Sequence, residues 1–155
     1  MQDSEIVKAA EARISDLGLP LPSRMVSTED VVWPENVADL TSEELARHLT
    51  WWSGWQSYAQ YHLARAETNH ASLSKHLAIE VQKILHNSGK DYKTVTEAKA
   101  AVARLPSIEK IEHRVTEADA NKRLLSALVE GYEVKYATIS REISRRGQDF
   151  SKGGR

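Results

Sequence analysis

Two clusters of side chains in this chain have the types and spacing for chemistry. One is aromatic: Trp51-Trp52-Ser53-Gly54-Trp55, continuing to Tyr58 and Tyr61. The other is basic: Arg141, Arg145 and Arg146 within Ser140-Arg141-Glu142-Ile143-Ser144-Arg145-Arg146-Gly147, followed by Lys152. Aromatic faces stack on nucleobases, and cationic side chains track phosphates. Together they are the chemistry of single-stranded nucleic-acid binding. Each half also has a plainer reading. Tryptophans at helical spacing fill cores and interfaces. Cations in the last turn of a helix complement its dipole. Both readings stay open at the level of sequence.

Other chemistries find little here. There is no cysteine, so thiolate nucleophiles, thiolate metal sites and disulfides are excluded. His62, His70 and His76 are not spaced i, i+4, and no HExxH pattern occurs, so no metal site is expected. Asn87-Ser88-Gly89-Lys90 lacks the glycine spacing and the preceding strand of a phosphate loop. The carboxylate pairs Glu109/Glu112 and Glu117/Asp119 read as solvated surface charge. With no nucleophile–base pair and no cofactor cradle, the chain is expected not to be an enzyme. No apolar run approaches the roughly 18 residues that span a bilayer, and the acidic N-terminus is not a signal peptide. The expectation is a soluble, cytoplasmic protein.

Charge supports an anionic partner. The 155 residues carry a net charge of −1, unevenly spread. Residues 1–44 hold three basic and ten acidic side chains, whereas residues 135–155 hold six and two. A basic end on a near-neutral chain suits a polyanion. It equally suits neutralisation by the acidic arm inside an oligomer.

The elements that must position these clusters are helices. A charged fraction of 28% and an aromatic fraction of 6% suit long helices. Residues 4–16 form a short amphipathic helix, with Ile6, Ala9, Ala10, Arg13, Ile14 and Leu17 on one face, and Gly18 stops it. Residues 18–40 contain Pro20, Pro22 and Pro34 and read as an extended arm lying on another surface. Thr41-Ser42-Glu43-Glu44 is a capping box, so a long helix starts near Ser42. Its stripe runs Leu45, Leu49, Trp52, Gln56, Ala59, Leu63, Ala66, His70, Leu73, Leu77, Glu80, Ile84 and ends at Asn87-Ser88-Gly89. A short helix spans 94–105. The last helix runs from near Ser107 to Arg146, with Gly147 closing it and 148–155 frayed. Its stripe is Ile108, Ile111, Val115, Ala118, Lys122, Leu125, Val129, Tyr132, Tyr136, Ile139, Ile143, Arg146, in alternating steps of three and four.

The fold class is therefore all-α: an elongated antiparallel hairpin of two long helices, with a short connector helix and an N-terminal arm. Residues 1–40 form the arm, 41–147 the hairpin and 148–155 a basic tail. With the helix ends level, position i on the first long helix faces about 193 − i on the last. Trp52 then faces Arg141, and Trp55 faces Thr138. Apolar residues remain off the main stripes: Trp51, Trp55 and Tyr58 on the first helix, Leu124 and Leu128 on the last. They require another helix, most simply from a second copy oligomerising through coiled-coil-like seams. Trp52, Tyr58, Leu124 and Leu128 are assigned to that interface. Trp51, Trp55, Arg141, Arg145, Arg146 and Lys152 are assigned to nucleic acid.

Residues 40–147 also resemble a known family. The order is Leu40-Thr41-Ser42-Glu43-Glu44-Leu45, then Trp51-Trp52-x-x-Trp55-x-x-Tyr58, then Leu63-Ala64-Arg65-Ala66-Glu67, then Ser140 to Gly147. It resembles the UvsY-like recombination mediators of tailed phages. The resemblance implies an oligomeric ring of helical protomers in the cytoplasm of a bacterial host. It implies binding of single-stranded DNA, cooperation with a single-strand-binding protein and loading of a RecA-like recombinase. Arg141, Arg145 and Arg146 carry the strand contacts in that reading. The Pro-containing arm lies outside the pattern. The rival reading is a structural or adaptor coiled coil, such as a virion or scaffolding component, without a nucleic-acid site.

Overall fold

The computed structural model describes residues 5–26, 31–88 and 94–153, with the side chains of 88 and 150–153 excepted. It is all-helical, with no strand among the described residues. The order is α1 (Glu5–Asp16), a 3₁₀ turn (Val37–Asp39), α2 (Ser42–Ser88), α3 (Val95–Ala103) and α4 (Pro106–Gly153). The two long helices pack together.

Local signals account for most boundaries. Gly18 adopts φ +70° after α1, and its N–H donates to the Ser15 carbonyl while that of Leu19 reaches Ile14. This is a Schellman ending, which a residue without Cβ adopts at no steric cost. At α2, Glu44 N–H donates to Thr41 Oγ1 at 3.2 Å, and Thr41 N–H donates to Glu44 Oε2 at 2.7 Å. The capping box is closed in both directions. Thr94 caps α3 through Glu97 N–H at 3.1 Å. Pro106 opens α4, where its missing N–H costs nothing. The far end of α4 departs from expectation. Gly147 keeps helical geometry, and the helix continues to Gly153 instead of stopping at Arg146. Arg145 pairs with Asp149 across this stretch and helps to carry the helix past the glycine.

The chain divides into two compact units: Met1–Pro20 with Ala64–Leu124, and Leu21–Leu63 with Leu125–Arg155. In the first, Val7 of α1, Ala66 of α2, Ala98 and Val102 of α3, and Ile108 and Ala118 of α4 are buried. The inward face of α1 is Val7, Glu11 and Ile14; Ile6, Ala9, Ala10, Arg13 and Leu17 are exposed. Glu11 lies on this face and meets Arg65 Nε at 2.8 Å. Asp119 is also more than surface charge. It is half-buried and gathers Lys122 at 2.8 Å, Arg123 at 2.7 Å and His70 at 3.8 Å. The Lys122 hydrogen bond, ahead of the charges, holds its carboxyl below the usual range.

The second unit contains the tryptophans and tyrosines found among the described residues. Leu45, Trp51, Trp52 and Ile139 form its core. Met25, Val31, Trp33, Val37 and Leu40 of the arm pack against it, so the arm lies on its own chain. The alternation of Val31 and Trp33 inward with Val32 outward is that of an extended segment on an apolar floor. Gly54 has its reason here. A Cβ at this position would collide with the Met25 side chain, so the close neighbour is the arm.

Candidate nucleic-acid interface

The two clusters identified in sequence both lie in the second unit, but they serve different neighbours. Trp51 and Trp52 are buried, at 8% and 7% exposure. Trp51 meets Trp55 edge to face at 5.9 Å. Trp52 stacks on Tyr132 at 6.0 Å and 27°, takes Trp33 edge-on at 5.9 Å, and donates through Nε1 to His48 Nδ1 at 3.3 Å. Lys135 Nζ sits 3.9 Å from the Trp52 ring centroid. These rings are already occupied by protein. Trp51 is therefore a packing residue in the folded chain, not a surface for bases. Trp52, assigned to an interface between copies, is spent within its own core. Trp55 and Tyr58 are half-buried and pack on each other at 6.0 Å, with the Arg24 guanidinium 6.0 Å from the Trp55 centroid. Leu124 and Leu128 are exposed, at 69% and 49%.

The expected pairing of Trp52 with Arg141 does not occur. Trp52 meets Tyr132, nine positions earlier on α4, or about 13 Å of helix. Level helix ends were the faulty assumption. Trp52 stacks on Tyr132 and Trp55 lies tilted against the same ring, and these contacts mark the register. The arginines consequently lie beside the arm. Arg146 Nη2 donates to the Ala38 carbonyl at 2.9 Å. Val37, Thr138, Arg141, Glu142 and Arg145 line one shallow, open groove.

Glu142 organises this groove. Arg145 grips it with both Nε (2.9 Å) and Nη2 (2.8 Å), and Arg146 Nε donates to it at 2.7 Å. Arg145 Nη1 also reaches Asp149 at 2.9 Å. The hydrogen bonds from Arg145 and then Arg146 push the Glu142 carboxyl down to about 2. Glu142 in turn raises Arg145. Three cations thus face two carboxylates, a local balance of +1. Arg141 differs from its neighbours: it is exposed and has no ion pair among the described residues. Thr138 directs its hydroxyl to the Val134 carbonyl at 2.8 Å, so it presents lone pairs, not a donor, to the groove. The Lys152 side chain lies outside the described residues.

Sequence reasoning missed Glu142 as the organiser, although its spacing to Arg145 and Arg146 (i, i+3 and i, i+4) is a readable ion-pair signal. It also missed His48 and Lys135, whose roles depend on which rings surround them. No known protein family, curated protein or solved structure matches this chain. No helix among the described residues is long and apolar enough to cross a membrane.

Proposed function

We propose that this protein is a helical, non-enzymatic mediator of recombination. In this reading it binds single-stranded DNA through the C-terminal end of α4 and assists the loading of a RecA-like recombinase. It works as a homo-oligomer alongside a single-strand-binding protein. The observation that carries the proposal is Arg141. It is an exposed guanidinium without an ion pair among the described residues, beside two arginines already oriented by Glu142. An exposed guanidinium beside two oriented ones suits the fork geometry of a phosphate. The resemblance of residues 40–147 to the mediator family supports the same reading. Bases stack on half-exposed rings such as Trp55 and not on Trp51.

The test is anisotropy of a labelled single-stranded oligonucleotide against salt. Each phosphate neutralised contributes about −0.7 to the slope of log affinity on log salt, so three arginines give roughly −2 per protomer. Replacing Arg141, Arg145 and Arg146 by alanine should flatten that slope and leave helicity unchanged. Equal binding by the parent and the triple variant would remove the site. The second reading, an adaptor without nucleic acid, is favoured by one observation: Leu128 and Val134 on α4 are 49% and 66% exposed. An adaptor retains no oligonucleotide even at low salt.

A further inference from the structure

His48 is a buried polar side chain that the strand-binding reading does not use. It lies on α2 at 4% exposure. Its Nδ1 accepts the Trp52 indole N–H, so that nitrogen carries a lone pair in the folded state. Trp33, from the arm, stands edge-on to both rings, 6.4 Å from His48 and 5.9 Å from Trp52. The arm is thus anchored on a platform of two rings joined by one hydrogen bond. The charges facing the platform are few. Glu44 and Arg47 flank His48 on its own helix. From α4, Lys135 Nζ lies 3.9 Å from the Trp52 centroid and 5.7 Å from that of Trp33. The arm brings an uncharged indole.

A proton on Nδ1 reverses the chemistry of this platform. The acceptor becomes a donor aimed at a second donor, and a cation is created on a side chain only 4% exposed, beside a Trp52 ring that already carries the Lys135 ammonium. An unpaired buried charge is among the most expensive groups a core can contain. The escape requiring least rearrangement is to lift Trp33 and let water reach the imidazolium, because α2 and α4 hold the other rings on continuous helices.

We propose that His48 is an acid-operated latch, which holds the Trp33 segment of the arm on α2 when neutral and releases it when protonated. Burial, then Arg47, pushes the His48 imidazole below its usual 6.5, against a smaller pull from Glu44. The docked arm is therefore fully stabilised above pH 6.5. Its docking weakens as the pH falls from 6.5 through the lowered value, where the released state binds the extra proton.

The test uses the full chain between pH 7.5 and 5, following tryptophan emission and far-ultraviolet circular dichroism together. The expected result is a red shift of emission at constant helicity, with a midpoint under 6.5. His48→Gln keeps an acceptor for Trp52 but cannot titrate, and should abolish the shift. An identical shift in His48→Gln, no shift in the parent, or helicity falling in step with emission overturns the latch. Should His48→Gln fail to fold, NMR of the parent decides. The Trp52 indole N–H resonance must move with the His48 midpoint, and a Trp52 resonance that ignores it overturns the proposal.

Discussion

At the scale of residues, Glu142 and Gly54 show how single side chains set the site. Glu142 neutralises part of the cluster that it orients. Its carboxyl, held at about 2, stabilises the fold above pH 4.5, and that stabilisation is lost as the pH falls through about 2. Glu142→Gln should therefore melt below the parent at pH 7, with the gap closing toward pH 2, as read by thermal circular dichroism. The same variant raises the net charge of the groove by one and should tighten single-strand binding at low salt. Gly54 is the opposite case, a residue kept small for its neighbour. Gly54→Ala gains about 1 kcal/mol of helix propensity but displaces Met25. The expected outcome is an unchanged or higher melting temperature together with faster tryptic cleavage at Arg24, because the arm loses its thioether contact.

At the scale of elements, α2 and α4 depend on a few fully buried positions. Ile139 is 0% exposed and Leu45 1%. Ile139→Ala should cost about 2–5 kcal/mol, the usual range for truncating a buried aliphatic side chain, measured by urea unfolding. The α2 stripe was readable from spacing, since all twelve positions from Leu45 to Ile84 are buried or half-buried, whereas in the α4 stripe Tyr136 and Ile143 are exposed. Gly147 misled, because a glycine ends a helix only where the chain turns to φ > 0, and here it does not. The face of α1 misled as well. Of its expected stripe of Ile6, Ala9, Ala10, Arg13, Ile14 and Leu17, only Ile14 turns inward, on a face with Val7 and with Glu11, which pairs with Arg65. Such a pair joins residues 54 positions apart, beyond any periodicity.

At the scale of the whole molecule, the exposed apolar residues of α4 bear on assembly. Leu128 is 49% exposed, so Leu128→Glu places a charge in water in the single chain but in an apolar contact in a homo-oligomer. A buried charge without a partner costs several kcal/mol. Light scattering at micromolar concentration should give a multimeric mass for the parent. Leu128→Glu should lower that mass at constant helicity. A monomeric parent would end the oligomer proposal and, with it, the ring expected of a mediator.

Sequence alone determined what depends on neighbours along the chain. The helical class, the capping box at Thr41, the stop at Gly18, the opening of the last helix near Ser107 and the α2 stripe all follow from interactions within about four residues. Only tertiary structure decided what depends on the packing of large rings. Trp52 stacks on Tyr132, and that contact shifted α4 by nine positions and carried the arginines away from the tryptophans to the arm. Spacing along the chain records which face a residue occupies. It does not record how far one helix slides along another, because stripe residues of the two helices can meet at more than one register, and the packing of the large rings chooses among them.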